Sequence, residues 1–244
     1  MTIRKKVPQL REITQPERST AVKARESWHV LGIISEFIEA TEKLADIRPS
    51  VTVFGSARTE RGSPWYERTV ELGRMLSDAG FAVITGGGPG IMEAANRGAH
   101  AGKSPSVGLN IQLPHEQSAN PHQDISISFR HFFARKVALA KYASAFVATP
   151  GGFGTLDELS EVLTLIQTKT GRRIPVILMG QQFWGGLIEW LRTAMVGEGM
   201  ISAEDMDLIR VIDEPKEVVE AIFDFYQARG FYATSRDRES NLYL

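Results

Sequence analysis

A short apolar run, then glycine or proline, then a longer stretch of helical period: this unit recurs along most of the chain. The apolar runs predict strands at 51–54, 81–85, 107–113, 125–129, 145–149, 175–179 and 208–212. The amphipathic stretches predict helices at 65–78, 91–101, 131–142, 155–168, 183–196 and 215–229, with Gly80 closing the first of them. Apolar strands separated by helices imply a mostly parallel sheet covered on both faces. The expected fold is α/β: one doubly wound domain over residues 49–230.

Ahead of the first strand lies a further helical pattern at 19–46, where Leu31, Ile34, Ile38 and Ala45 follow 3–4 spacing until Pro49 stops it. It reads as an N-terminal helical extension (19–48) that packs on the fold or on another subunit. Residues 1–18, with Arg4, Lys5, Lys6, Pro8, Arg11 and Pro16, read as a polar arm, and 231–244 as a C-terminal tail.

In open α/β sheets ligands bind beyond the carboxyl ends of the strands. The loops after Phe54, Thr85, Leu113 and Thr149 therefore carry the functional information. Two are rich in glycine: Gly86-Gly87-Gly88-Pro89-Gly90 and Pro150-Gly151-Gly152-Phe153-Gly154. Each opens a helix, whose free N–H groups and positive dipole end favour a phosphate. Two such junctions in one sheet suggest one anionic ligand held between them. Neither is a dinucleotide fingerprint, since G-x-G-x-x-G needs glycine at Ile91 or Asp157. Gly102-Lys103-Ser104 resembles the end of a P-loop, but the first glycine of that motif falls on Arg97.

Composition narrows the chemistry. Among 244 residues there is no cysteine, which removes disulfide scaffolds, thiolate zinc sites, iron–sulfur clusters and thiol nucleophiles. The five histidines (His29, His100, His115, His122, His131) lack zinc spacing, so no metal is expected. A formal net charge of -1 argues against nucleic-acid binding through bulk electrostatics. No apolar run reaches the ~20 residues that span a bilayer, and no secretory h-region follows the basic start, so a cytoplasmic protein is expected.

Charged residues then cluster at the ligand edge. Glu158 is expected in the first turn of the helix beginning near Thr155, where the dipole stabilises a carboxylate. Its plain reading is a helix cap, just as Asp157 and Glu161 can be a solvated face. Arg135 and Lys136 open the preceding helix at the same edge.

Taken together, these residues resemble the Lonely Guy family, the cytokinin riboside 5′-monophosphate phosphoribohydrolases long labelled lysine decarboxylases. Pro150-Gly151-Gly152-Phe153-Gly154-Thr155-Leu156-Asp157-Glu158 is similar to its P-G-G-x-G-T-x-x-E motif. Gly86 to Ala94 resembles its other glycine loop, and Phe132-Phe133-Ala134-Arg135-Lys136 its R-K element. The likeness covers residues 51–212. It implies a Rossmann-like fold and hydrolysis of the N-glycosidic bond of a nucleoside 5′-monophosphate, without redox cofactor or pyridoxal phosphate. It makes Arg135 and Glu158 the catalytic pair. Substrate contacts carry over to Lys136, to Gly151, Gly152, Phe153, Gly154, Thr155, Leu156 and Asp157, to Thr164, and to Gly87 and Gly88. Glu116 resembles the glutamate of the family's mobile loop. Asp157 stands where many members carry Glu. The likeness also implies a homodimer or a larger assembly such as a hexamer, with the site near the partner.

The chemistry suits these residue types. Cleaving the bond builds positive charge on the ribose, which a fixed carboxylate can stabilise while it orients water. Arg135 stays protonated and acts by position and charge. Two rival expectations are a broad nucleoside-monophosphate nucleosidase of salvage and a non-catalytic carrier of a nucleotide or of molybdenum cofactor. Lysine decarboxylation would need a Schiff-base lysine, and nothing marks Lys103, Lys136, Lys141 or Lys169 as one.

Overall fold

The computed structural model describes residues 18–113 and 118–228. Strands β1 (Ser50–Phe54), β2 (Ala82–Thr85), β3 (Ser106–Ile111), β4 (Ile125–Phe129), β5 (Ala145–Ala148), β6 (Val176–Leu178) and β7 (Ile209–Val211) form one sheet. Their order is β4-β3-β2-β1-β5-β6-β7, and every pairing is parallel. The helices are α1 (Arg18–Leu44), α2 (Pro64–Asp78), α3 (Ile91–His100), α4 (Phe132–Lys141), α5 (Phe153–Gln167), α6 (Gln181–Trp190) and α7 (Pro215–Gln227). The stretch predicted as one helix at 183–196 divides, with α6 passing into a π-helical turn at Leu191–Val196.

Period-two alternation sorts each strand between two cores. In β5, Phe146 and Ala148 face one core while Ala145 and Val147 face the other. Leu139, Leu159 and Trp184 bring α4, α5 and α6 onto the first face. Leu72, Ala95 and Val218 bring α2, α3 and α7 onto the second. Each fully buried Val, Leu or Ile contributes roughly 1.5–3 kcal/mol. The chain runs outward from β1 to β4 and then returns to place β5 beside β1, with Val53 opposite Val147. That reversal opens a crevice at the carboxyl edge between β1 and β5.

Helices α2 and α3 pack closely because Gly98 lets the backbones approach. A Cβ at Gly98 would sit 2.0 Å from the Val70 carbonyl oxygen and 2.8 Å from the Arg74 nitrogen. Backbone on both sides leaves no side chain to yield. Gly98→Ala is expected to destabilise by about 3 kcal/mol, read as a fall of several degrees in Tm by thermal unfolding.

The apolar stripe predicted on α1 does not face the core. Leu31, Ile34 and Ile38 are exposed, and Ala40 and Leu44 pack inward with Phe37. The helix carries two apolar faces, and the sheet covers only one. Glu36 lies on the inward side, 7% exposed, and accepts hydrogen bonds from the backbone N–H of Arg130 (3.0 Å) and His131 (3.3 Å), which lead into α4. No described helix is long and apolar enough to cross a membrane.

Candidate active site

A cavity of about 950 Å³ opens at the carboxyl edge of the sheet, within the usual size range for small-molecule sites. Its wall combines the loops after β1, β2, β3 and β5 with the first two turns of α4 and α5, and with Met92 of α3 and Phe183 of α6. Ser56 donates its N–H to the Pro150 carbonyl at 3.1 Å, and Ile91 donates to the Ser56 carbonyl at 2.9 Å. The β1 loop is thereby fastened to both glycine loops.

The loop after β2 is held from below by a polar network. Asn120 donates through Nδ2 to the carbonyls of Gly87 (3.0 Å) and Gly88 (3.1 Å) and to Asn96 Oδ1 (2.9 Å). Gln123 Nε2 adds a bond to Gly87 at 2.9 Å. Gly87 and Gly88 are buried over this network, and Gly86 is the glycine that reaches the cavity. Asn120 and Gln123 fall in a segment whose polarity reads only as a loop, so no local pattern marks this support.

Arg135 enters the cavity from α4. Its Nε donates to the Leu109 carbonyl at 2.8 Å and its Nη2 to the Gly86 carbonyl at 3.4 Å. Burial lowers its pKa, and the Glu158 carboxylate opposes that shift. Gly86 is glycine because the guanidinium needs the room: a Cβ there would lie 2.2 Å from Arg135 Nη2.

Glu158 lines the same cavity from α5. The helix begins at Phe153 with Gly152 as N-cap, earlier than predicted. Glu158 therefore lies in the second turn, not the first, and Thr155 occupies the position where a capping glutamate would stand. The helix dipole fades within the first turn, so it does little for this carboxylate. Burial pushes Glu158 up to about 7, against the pull of Arg135 and Lys136 and with added repulsion from Glu161 and Asp157. Arg135 and Glu158 share the cavity and sense each other's charge without forming an ion pair.

The start of α5 offers an anion cradle. The N–H groups of Thr155 and Leu156 donate to the Gly152 carbonyl, at 3.0 and 3.1 Å. Phe153 and Gly154 precede them in the first turn, where N–H groups have no helical acceptor. A Cβ at Gly152 or Gly154 would meet nothing within 4 Å. Gly151 lies against the buried Thr155 side chain. Leu156, Asp157 and the 91% exposed Phe153 complete this rim.

Other expected contacts lie elsewhere. Lys136 is outside the lining and bridges α4 to α5, with Nζ 3.0 Å from Asp157 Oδ1 and 3.1 Å from Glu161 Oε2. Burial alone would lower its pKa, and these two carboxylates outweigh that and raise it. Thr164 is exposed and donates to the Ser160 carbonyl at 2.8 Å, away from the cavity. Glu116 lies outside the described residues. Met92 and Phe132, within the two quoted motifs, also line the cavity, as do Arg58 and Phe183, which no motif marks. No described lysine lines it, so the residues do not fit a pyridoxal phosphate Schiff base here. No described cluster of three or more His, Asp or Glu is placed to hold a metal ion.

An open parallel sheet with its cavity at the strand reversal, bordered by a helix N-terminus, an arginine and a buried carboxylate, defines a doubly wound ligand-binding α/β protein. A family model described as "Possible lysine decarboxylase" matches residues 92–222. The cytokinin riboside 5′-monophosphate phosphoribohydrolase LOG of Oryza sativa subsp. japonica is 30% identical over 182 residues, 73% of this chain and 74% of that protein. LOG3 of Arabidopsis thaliana, of the same description, is 27% identical over 188 residues, 75% of this chain and 86% of that protein. Among solved structures, the molybdenum cofactor binding protein of Rippkaea orientalis is similar with a TM-score of 0.53 at 22% identity, covering 72% of this chain and 96% of that one. The Moco carrier protein of Chlamydomonas reinhardtii also gives 0.53, at 23% identity, over 74% and 98%. These two likenesses are of fold. The chain belongs to the Lonely Guy family, the lysine-decarboxylase-like phosphoribohydrolases.

Proposed function

We propose that this protein hydrolyses the N-glycosidic bond of a purine nucleoside 5′-monophosphate, either AMP or an N6-substituted cytokinin nucleotide. The products are free base and ribose 5-phosphate. The observation that carries the reading is Glu158: a partly buried carboxylate facing Arg135, without an ion pair, beside a helix N-terminus that no side chain caps. A capping or surface glutamate would have neither that burial nor that neighbour.

In this reading the phosphate sits on the N–H groups at the start of α5, with Gly152 and Gly154 leaving room for it. Anchoring there fixes the ribose against Glu158. As the C1′–N bond breaks, its electron pair leaves with the base and positive charge builds on the ribose. Ionised Glu158 stabilises that charge and orients the water whose oxygen bonds C1′. In sum, hydroxyl goes to C1′ and a proton to the base. Arg135 favours the ionised form of Glu158 against the effect of burial. Lys136 acts indirectly, tying α4 to α5 through Asp157 and Glu161.

Homo-oligomer formation is part of the proposal. Phe132 (55%), Phe133 (50%) and Phe153 (91%) are exposed beside the cavity, and Trp28, Leu31 and Ile38 are exposed along α1. Burying such a surface against a second copy would close the site's open side.

Incubation with AMP and with isopentenyladenosine 5′-monophosphate, followed by chromatography, tests the reaction. Release of base and ribose 5-phosphate is expected, and the ratio of the two rates separates cytokinin activation from general salvage. Tight AMP binding with no release would favour the carrier reading. Gly154→Ala offers a second check. The change should leave the melting temperature equal or slightly higher, since Ala is favoured over Gly in helices by up to ~1 kcal/mol. Its methyl group would stand before the anion cradle, so KM for AMP should rise roughly tenfold, a loss of about 1.4 kcal/mol.

A further inference from the structure

We propose that Arg58 is the side-chain cation that receives the substrate's 5′-phosphate, and so sets the preference for nucleotide over nucleoside. The inference rests on the hydrolase reading above and extends it to a residue that no motif marked.

Two cationic side chains line the cavity among the described residues, Arg58 and Arg135. Arg135 is already engaged: Nε and Nη2 hold the Leu109 and Gly86 carbonyls, and its charge is set against Glu158. It serves the end of the cavity where the glycosidic bond must lie. Arg58 comes from the β1 loop, which the Ser56–Pro150 hydrogen bond joins directly to the 150–154 loop. Its own N–H donates to Ser56 Oγ at 3.0 Å, which fixes the turn from which the side chain springs. The guanidinium has no hydrogen bond or ion pair among the described residues.

Neighbouring cations are taken. Arg61, in the same loop, pairs with the buried Glu93 at 2.6 Å. Lys136 is held by Asp157 and Glu161. A phosphate monoester carries nearly two negative charges at neutral pH, whereas a helix N-terminus supplies only about half a positive charge. The balance calls for one full cation next to the start of α5. A guanidinium is the side chain suited to a two-pronged grip on phosphate, and Arg58 is the one in place.

The test is steady-state kinetics on the full-length chain and its Arg58→Gln and Arg58→Lys variants, with AMP and adenosine as substrates. Calorimetric titrations with AMP and ribose 5-phosphate accompany it. Arg58 is exposed, so the variants should melt with the parent protein. The expected result for Arg58→Gln is a roughly 10- to 100-fold fall in the ratio of kcat/KM for AMP to that for adenosine, carried by KM. Ribose 5-phosphate should weaken by the same factor, and Arg58→Lys should recover part of it. Equal losses on AMP and adenosine, or unchanged ribose 5-phosphate binding, would overturn the assignment. If the parent protein binds these phosphates but releases no base, the hydrolase reading fails. The calorimetric comparison then still decides for or against Arg58.

Discussion

Glu158→Gln is expected to lower kcat for AMP by roughly 100- to 10,000-fold, the range of a lost acid–base or charge-stabilising group, while AMP still binds. The amide keeps the shape of the side chain and removes the charge that the ribosyl cation needs. The same substitution reports on the site's electrostatics. Because the folded-state pKa of about 7 lies above the ordinary 4.5, the folded protein holds this proton more tightly than the unfolded chain does. Stability from this group is thus fully present below pH 4.5, declines as pH rises towards 7, and stays lost above it. Ionisation costs up to ~3 kcal/mol. Glu158→Gln should remove that decline, so the variant gains on the parent protein between pH 4.5 and 7 in parallel melts. For activity the sign reverses: kcat/KM of the parent protein should climb through an inflection near 7, and the variant's residual rate should not. A parent profile flat through 7, with unchanged turnover in the variant, would return Glu158 to a purely structural role.

Gly86→Ala is expected to cost about 100-fold or more in kcat although position 86 offers the reaction no side chain. The added Cβ would take the place of Arg135 Nη2, driving the guanidinium off its two carbonyl acceptors and away from Glu158. The fold should tolerate this, because the two colliding atoms, Arg135 Nη2 and Met92 Sδ (2.8 Å), both belong to flexible side chains. Arg135→Ala should cost at least as much. The double variant should be no worse than Arg135→Ala alone, because both changes remove one interaction. Additive losses would mean that Gly86 and Arg135 act separately, contrary to the geometry.

The seven strands and the helices between them are legible in the sequence because each depends on local period. So is the ligand edge, which follows from strand order. What escapes is set by partners far along the chain. The α1 stripe of Leu31, Ile34 and Ile38 has correct helical spacing, but the inward face is chosen by the sheet and falls on Ala40 and Leu44. Lys136 reads as a substrate cation until α5 brings Asp157 and Glu161 against it. Glu158 moves a turn because Phe153 and Gly154, poor signals in sequence, are already helical. Asn120 supports Gly87 and Gly88 from a loop with no periodic pattern at all. The glycine loops, Arg135 and Glu158 stand out as candidates because they lie in contiguous motifs, and the fold brings Gly86, Gly151–Gly154, Arg135 and Glu158 to one cavity. Arg58 was not, since its meaning depends on the β1 loop lying against Pro150.

The carboxylate of Glu36 meets the backbone at the entrance to α4, the helix that carries Arg135. Helix α1 thus behaves as a ligand of the rest of the molecule, held in place by a short covalent leash into β1. A leash of this kind presents its ligand at an effective concentration in roughly the millimolar range. For a chain shortened to begin at β1, a separate peptide of residues 18–45 would have to reach that concentration to restore what the connection provides without cost.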